Sequence, residues 1–356
     1  MSINFATLQG VTIPEGVVTQ IADASGRILW SAAGGAAVLQ VEKIVSNTYA
    51  GETTYENEEF ILLNISPKTN GTVKVTYGGL TKTITDTSGE AEPNAQEVFF
   101  GTFNGVSDSV ATPASGKLTI EGDFRAFGCG GFNHAKLGFG AYNGITAVYS
   151  FGDSDMIPTM AFGSSVANVG CDKLTKVTIP RTIKTISSSA FFHCTGLTSI
   201  NIPSSVESIS SGCFNGCYNL SSIIVEDGNA NYSSDGHVLF NKNKTVLQSY
   251  PSASGHYTIP SSVTEIALSA FQWTDPYLTS VTIPSSVTSI NASAFAIGVG
   301  TEYAYSRTIT FLSTTPPAVG VLALSGNNII VPAGCGATYK AAEGWSEYAD
   351  YITEAS

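Results

Sequence analysis

The residues best suited to chemistry in this chain are its six cysteines and four histidines. Cys171, Cys194 and Cys217 recur at intervals of 23 residues. A metal site or a redox pair needs closely spaced cysteines, or histidines at a set spacing from them. A regular interval of 23 residues instead predicts a ladder of small buried side chains, one in each structural repeat. Cys213 stands where another repeat has Ala190, so we interpret it as a core residue too.

The histidines share no ligand spacing, and His193 follows an aromatic residue in a predicted turn, where an exposed polar side chain is expected. Asp227, Asn229 and Asn231 fall at positions 1, 3 and 5 of a calcium-binding loop, but the glycine and the bidentate acid of such a loop are missing. No nucleophile–base pair or phosphate loop stands out. The sequence therefore predicts no metal, no cofactor and no enzyme.

Composition excludes some classes of partner. Charged residues make up only 12% of the 356 residues, and the net charge is −12. The 16 lysines and arginines form no basic stripe, so nucleic acid is not expected as a partner. No run of about 18 apolar residues occurs, so we expect no membrane insertion. The first residues also lack the pattern of a signal peptide. Export of the protein as part of a virus particle, or removal of a signal peptide, would each explain why that pattern is missing.

Residues 174–219 contain two copies of one motif, and the rest of the chain is arranged around them. The second copy repeats the first at every landmark after 23 residues, and the motif returns at residues 257–271 and 278–295. The landmarks are Leu174, Leu197 and Leu220; Pro180 and Pro203; and Phe191 and Phe214. A fixed period in the twenties with aliphatic residues at fixed places is typical of a leucine-rich solenoid.

Each repeat predicts two short strands and a turn. The inward side chains of the first copy are Leu174, Val177, Ile179, Ile183, Ile186, Ala190 and Phe191. The outward positions of successive first strands carry Lys176 and Thr178, Ser199 and Asn201, Ser222, and Ser280 and Thr282. Because parallel strands stack in register, these side chains should form a polar face rich in hydroxyl groups.

The remaining segments complete a mainly β fold. Residues 1–33 predict a hairpin whose Val17, Ile21 and Trp30 would dock on another protein, on a copy of the chain or on the next domain, because an isolated hairpin is barely stable. Residues 34–116 predict an immunoglobulin-like β-sandwich with a hairpin at residues 72–85.

Residues 117–173 predict an N-terminal cap, residues 174–312 the repeats, and residues 313–356 a C-terminal cap. The aromatic side chains expected to seal the last coil are Tyr339, Trp345, Tyr348 and Tyr351. The array is interrupted near residues 225–257 by an insertion with its own hairpin pattern.

The motif LTxVxIPxxVxxIxxxAFxxC, present at residues 174–194 and 197–217 and without its cysteine at 278–295, resembles the BspA-like leucine-rich repeats of bacterial surface proteins. The insertion and the C-terminal segment resemble that family's irregular repeat and terminal cap, so the resemblance covers about residues 157–352. It implies adhesion or binding to a host surface. The segment IPEGVVTQIADASGRILWSA is similar, more weakly, to the start of tail-associated proteins of gut bacteriophages and prophages.

These observations predict a non-catalytic receptor-binding protein of a phage tail or virion, which binds a bacterial surface protein or glycan. The alternatives are a bacterial cell-surface adhesin and a structural or decoration protein of a viral particle. Residues 1–33 would bind other virion proteins, and self-association is compatible with the same segment. The ligand-binding candidates are turn residues that follow the core phenylalanines or lie in the extended segment: Phe192, His193, Tyr218, Gln272, Trp273, Tyr303 and Tyr305.

Overall fold

The computed structural model describes residues 20–22, 28–31, 36–42, 44–45, 59–68, 70–86, 96–103, 106–107, 113–122, 124–128, 145–152, 154–164, 169–251, 255–272, 278–297 and 307–356. These residues are almost entirely in strands and turns, which confirms the predicted mainly β class.

The N-terminal part of the described chain is built from antiparallel strands. They are β1 (Gln20–Ala22), β2 (Ile28–Ser31), β3 (Ala37–Glu42), β4 (Ile44–Val45), β5 (Glu59–Pro67), β6 (Thr72–Tyr77), β7 (Leu80–Thr85), β8 (Gln96–Phe103), β9 (Val106–Ser107), β10 (Ser115–Gly122) and β11 (Phe124–Gly128). Strand β1 pairs with β2, with Ile21 opposite Trp30, as the predicted N-terminal hairpin requires. Val17 lies outside the described residues.

Two antiparallel sheets share one core in this region. One contains β3, β10, β6 and β7, and the other contains β11, β5, β8 and β9, with β4 beside β5. The turn between β6 and β7 is Gly78-Gly79, and both residues have positive φ (56° and 82°), which suits the primed two-residue turn predicted there. Val75 of the first sheet and Ile65 of the second belong to the same buried cluster. An immunoglobulin-like order of these strands remains a prediction.

The sandwich and the repeats are joined by a shared sheet. Strand β12 (Ile145–Phe151) pairs antiparallel with β3 and parallel with β16 (Lys176–Val177), the first strand of the repeat array. Strand β10 crosses residue 116 and pairs with both β3 and β6. The buried cluster likewise runs without a break from Ala37 to Leu239. A fragment that begins at residue 117 would therefore remove the strand neighbours of β10 and β12.

The repeat region is built on two rows of short parallel strands and also contains antiparallel pairs near its start and in the insertion. The described strands are β13 (Met156–Ile157), β14 (Gly163–Ser164), β15 (Val169–Gly170), β17 (Thr185–Ile186), β18 (Ser199–Ile202), β19 (Ser208–Ile209), β20 (Ser222–Val225), β21 (Tyr232–Asp235), β22 (Val238–Asn241), β23 (Val246–Ser249), β24 (Gly255–Thr258), β25 (Glu265–Ile266), β26 (Leu278–Ile283), β27 (Ser289–Ile290), β28 (Thr308–Phe311), β29 (Ala318–Val319), β30 (Asn328–Val331) and β31 (Ile352–Glu354). Strands β24, β26, β28, β30 and β31 form one sheet, and β23, β25, β27 and β29 belong to another.

The core of the solenoid is a column of stacked aromatic rings. The ring centroids of Phe162 and Phe191 are 5.4 Å apart, and those of Phe191 and Phe214 are 5.6 Å apart. The column continues after the insertion, where Phe271 and Phe295 stack at 4.5 Å. The aliphatic positions predicted to point inward are buried in every regular repeat. The two-strand repeat predicted from the 23-residue period is therefore confirmed.

The insertion forms a three-stranded extension of the second row. The predicted hairpin is present as β22 and β23, and β21 adds a further strand beside β22. The turn between β21 and β22 lies at the edge of β20, because the Ile223 N–H donates to Gly236 O at 2.8 Å. Strand β24 then begins a separate sheet, so the insertion divides the first row of strands into two.

The C-terminal cap is a short helix, α1 (Gly336–Ala341), followed by a 3₁₀ helix (Ser346–Tyr351) and β31. Tyr339, Trp345 and Tyr348 are buried against the last coils, as predicted. Their polar atoms are satisfied there: Tyr339 Oη donates to Ser313 O at 2.8 Å, and Trp345 Nε1 donates to a proline carbonyl at 2.9 Å. The prediction is wrong for Tyr351, which is 53% exposed. It is the last residue of the 3₁₀ helix, before the chain turns into β31.

The predicted cysteine ladder is present, and one of its members forms a disulfide bond. Cys194, Cys213 and Cys217 are free and buried, as predicted. The thiols of Cys194 and Cys217 donate to the carbonyls of Phe162 (3.3 Å) and Phe191 (2.9 Å) in neighbouring coils. Cys171 is fully buried at its predicted place in the ladder, but it is disulfide-bonded, which the ladder interpretation did not predict. The 23-residue spacing could not predict this disulfide bond, because the spacing carries no information about cysteines outside the series.

Coils without a cysteine use another donor at the same place. The guanidinium of Arg307, which is 2% exposed, donates to the carbonyls of Phe271 (3.2 Å) and Phe295 (2.8 Å) and to Asn327 Oδ1 (3.2 Å). Asn327 Nδ2 also donates to Phe295 O at 2.9 Å. One long side chain thus binds the backbone of two coils, where earlier coils use one thiol each.

Candidate binding surfaces

Two of the predicted ligand-binding residues are packed into the turn region. Phe192 and His193 are each 9% exposed. A Cβ at Gly216 would lie 2.5 Å from the His193 ring, and a Cβ at Gly163 would lie 2.7 Å from Phe192. The expectation that His193 is exposed is therefore wrong. The glycine of the next coil lets the backbone approach the ring and cover it.

The environment of His193 makes it a packing residue at neutral pH. Its ring centroid lies 4.4 Å from that of Phe192 and 5.5 Å from that of Tyr218, both in edge-on geometry. Burial removes water from the imidazole and lowers the pKa of His193 from its usual 6.5 to about 4. The neutral ring therefore predominates above pH 5.

The other predicted binding residues divide into two groups. Tyr218 and Gln272 are half-buried and keep an accessible surface. Tyr218 lies beside His193, whereas Gln272 follows Phe271, further along the aromatic column. The remaining three candidates, Trp273, Tyr303 and Tyr305, lie outside the described residues. A ligand role for the whole set stays a prediction.

The calcium-like spacing at residues 227–231 has a structural explanation. Asn229 is buried, and its Nδ2 donates to Pro203 O (2.9 Å) and Val206 O (3.1 Å) of the preceding coil. Its Oδ1 accepts the N–H groups of Asn231 and Tyr232, both at 2.9 Å. All four hydrogen bonds of this amide stabilise the turn and its contact with the preceding coil. Among the described residues, no group of His, Cys, Asp or Glu could hold a metal ion.

An open cleft of about 300 Å³ lies where the insertion leaves the first row of strands. It is lined by Arg181, Asn201, Ile224, Val225, Glu226 and Asp227. Glu226 crosses it, since its Oε2 accepts from Arg181 NH2 at 3.2 Å and from the Ser204 N–H at 3.1 Å. Ile224 is 55% exposed at an outward position, so it interrupts the predicted polar face. Sequence reasoning did not find this cleft, because its two sides are 45 residues apart.

The outward face of the first row is polar, as predicted. Ser199 lies opposite Ser222, Ser280 opposite Thr308, and Thr282 opposite Thr310. His256, which was not among the predicted site residues, lies on this face in register with Ser280. Its place 24 residues before Ser280, one repeat earlier, was the available signal. His256 Nδ1 is 2.8 Å from Ser280 Oγ, and its Nε2 is 3.1 Å from Thr258 Oγ1 and 3.3 Å from Thr282 Oγ1.

No helix in the described part of the chain is long and apolar enough to cross a membrane. A search of curated proteins finds no match for the chain.

The solved structures that part of this chain matches include three bacterial proteins. A leucine-rich repeat protein from Eubacterium ventriosum is 23% identical, with 47% of this chain and 54% of that chain covered and a TM-score of 0.32. A leucine rich cell surface protein from Faecalibacterium prausnitzii is 26% identical, with 46% and 41% covered and a TM-score of 0.33. The pneumococcal vaccine antigen PcpA is 21% identical, with 47% and 53% covered and a TM-score of 0.31. The chain thus spans about half the length of each.

The repeats themselves match a family model. The model of the BspA type leucine rich repeat region matches residues 157–299 in six copies. The match begins within the segment predicted as the N-terminal cap and ends after the last regular repeat. The chain therefore carries a leucine-rich repeat region of the BspA type.

Proposed function

We propose that this chain is a non-catalytic binding protein that attaches to a bacterial surface through its repeats. The observation that carries the proposal is the outward face of the first row of strands, where uncharged polar side chains are aligned over successive coils. Solenoids present such extended faces to their ligands. The partner is a bacterial surface protein or a glycan.

A phage particle is the proposed carrier of this binding surface. The support is the similarity of residues 13–32 to the start of phage tail-associated proteins, together with the pairing of β1 with β2 in the N-terminal segment. In this arrangement the hairpin residues Ile21 and Trp30 dock to other virion proteins while the repeats bind the cell. The alternative is a protein displayed on a bacterial cell, as the BspA type of repeat suggests.

Binding of the labelled full-length chain to a panel of gut bacterial cells tests the proposal. We expect selective binding to some strains, with dissociation constants in the micromolar range or below. The full chain is needed because β3 is a sheet neighbour of both β10 and β12, and β6 is the other neighbour of β10. Equal failure on every strain would contradict the proposal. A Trp273→Ala variant measured in parallel tests the turn residues, and unchanged binding by that variant would remove Trp273 from the site.

Antibodies against the chain separate the two carriers. Labelling of purified phage particles, and not of intact producer cells, is the outcome expected for a tail protein. Labelling of intact cells alone would favour the cell-surface alternative. Deletion of residues 1–33 should abolish incorporation into particles and leave cell binding by the repeats unchanged.

A further inference from the structure

The sheet that follows the insertion presents an outward face without a charged side chain at its central positions. One row of this face contains His256, Ser280, Thr308 and Asn328, and the parallel row contains Thr258, Thr282, Thr310, Ile330 and Thr353. All nine side chains are exposed or half-buried. We call these nine residues the neutral face.

The spacing of the neutral face is set by the sheet. Neighbouring strands lie about 4.8 Å apart, so five strands span about 19 Å from the first to the last. The two rows are separated by two residues along each strand, which is about 6.6 Å. The face is therefore a lattice of hydroxyl, amide and imidazole groups, interrupted by the side chain of Ile330, with a repeat of one strand, rather than a single pocket.

His256 orders the part of this lattice nearest the insertion. Its ring nitrogens lie within hydrogen-bond distance of three hydroxyls: Nδ1 at 2.8 Å from Ser280 Oγ, and Nε2 at 3.1 Å from Thr258 Oγ1 and 3.3 Å from Thr282 Oγ1. A hydroxyl has one donor and two acceptor sites, so each retains capacity for a ligand. Holding the hydroxyls in place beforehand reduces the entropy that a ligand would lose on ordering them.

The chemistry of the face selects among ligand classes. Anionic polymers are bound by lysine and arginine, and the neutral face has neither. Protein partners are usually anchored by tryptophan, tyrosine or arginine, which are also absent from these nine positions. Groups that both donate and accept, repeated along a line, match a ligand that does the same. Carbohydrate hydroxyls have this property.

We infer that the neutral face binds an uncharged polysaccharide that lies across the strands of this sheet. The inference rests on the proposed surface-binding function and names its ligand class. Each neutral hydrogen bond contributes only about 1 kcal/mol net, so a single sugar would bind weakly. A chain of several sugars contacts successive strands, so that the small free energies of its separate hydrogen bonds add up. The ligand is therefore a polymer and not a free monosaccharide.

Affinity electrophoresis of the full-length chain tests this inference. The gels contain mannan, xylan or mixed-linkage β-glucan as neutral polymers, and polygalacturonate as the acidic comparison. We expect retardation by at least one neutral polymer and none by polygalacturonate. Retardation by the acidic polymer alone, or by none of the four, would overturn the inference.

Paired variants locate the site. Thr282→Val with Thr310→Val removes two neighbouring hydroxyls and keeps the shape and strand propensity of both side chains. At about 1 kcal/mol for each hydroxyl, affinity for the polymer should fall more than tenfold. Thr83→Val, on the exposed edge strand β7 of the other module, is the matched control and should bind as the unmodified chain does. Equal affinity of the double variant and the control would refute the assignment to this face.

The cell-binding panel separates failure of this inference from failure of the proposed function. If the chain binds cells and the double valine variant binds them equally well, the surface-binding function stands and the glycan assignment falls. If the chain binds neither cells nor polymers, both fall. If cell binding is lost in the double variant and is competed by the soluble neutral polymer, both are supported.

Discussion

Replacement of Arg307 by methionine would test whether one buried side chain holds the last coils together. Methionine keeps most of the aliphatic stem and removes the donors that reach Phe271 O, Phe295 O and Asn327 Oδ1. Hydrogen bonds from a charged donor contribute about 1.5–3 kcal/mol each. Two effects limit the loss of stability. Phe295 O keeps its hydrogen bond from Asn327 Nδ2, and the variant no longer has to bury a charged guanidinium group.

We therefore expect the free energy of unfolding to fall by about 3 kcal/mol, most of it local to the coils that Arg307 joins. In a solenoid, stability is a sum of repeat and nearest-neighbour terms, so the damage should stay in the C-terminal half. Native-state hydrogen exchange reports this directly: amides of β26 and β28 should exchange faster, while those of β18 and β20 keep their protection. Urea unfolding followed by circular dichroism gives the total.

Two companion variants make the measurement decisive. Arg307→Lys keeps the charge but cannot direct three donors to three acceptors, so it should recover only part of the loss. Lys184→Met breaks an exposed ion pair with Glu207 (3.0 Å) and should change stability by less than about 1 kcal/mol. A loss for Arg307→Met as small as that for Lys184→Met would refute the reasoning, and so would a loss spread evenly over all repeats.

Three more measurements concern His193, the turn at Asn229 and the free thiols. The folded-state pKa of His193 is about 4, so the unfolded chain takes up the proton first as the pH falls. The contribution of His193 to the free energy of unfolding should therefore be level above pH 7. It should decrease as pH falls from 6.5 towards 4, by at most about 1.4 kcal/mol per pH unit. His193→Gln should flatten that decrease in urea titrations across pH, and an unchanged slope would contradict the assignment. Asn229→Ala should lower the free energy of unfolding by about 3 kcal/mol, because four hydrogen bonds are lost. Asn231→Ala should lower it by less than about 1 kcal/mol. Similar urea midpoints for the two variants would be evidence against the anchoring role of Asn229. Burial raises the pKa of the Cys217 thiol to about 12, so a thiol reagent should react with the half-buried Cys335 before it reacts with Cys217, and Cys335→Ser should remove the first phase of the reaction.

Much of the architecture could be predicted because it is local and repeated. In a short strand, successive side chains face opposite sides, so the alternating positions of Val177 and Ile179 identify the inner face without further information. A 23-residue period then predicts which residues are stacked, and Phe191 and Phe214 do stack. The polar outward face could be predicted by the same argument, since parallel pairing in register follows from the period.

Other features depend on contacts that the 23-residue period does not predict. The joining of sandwich and solenoid by β12 needs the pairing of residues 37–41 with residues 145–151, which are far apart in sequence. The burial of His193 depends on Gly216 in the next coil, and a turn residue beside an aromatic gives no sign of it. The burial of Arg307 could not be predicted either, because two of its acceptors are the backbone carbonyls of Phe271 and Phe295, and a sequence does not show which carbonyls a side chain will reach.

The candidate site shows the same division. The hydroxyl-bearing residues Ser280 and Thr282 could be placed on one face from the repeat alone. The position of His256 on this face could also have been predicted from its spacing to Ser280, but its hydrogen-bonding role could not, because only the folded sheet brings its ring beside three hydroxyls. The sequence by itself thus determined which side chains point inward and outward within each coil, since that follows from strand geometry. The tertiary structure decided which coils meet and which polar groups they satisfy, because those contacts depend on where the insertion and the caps place the chain.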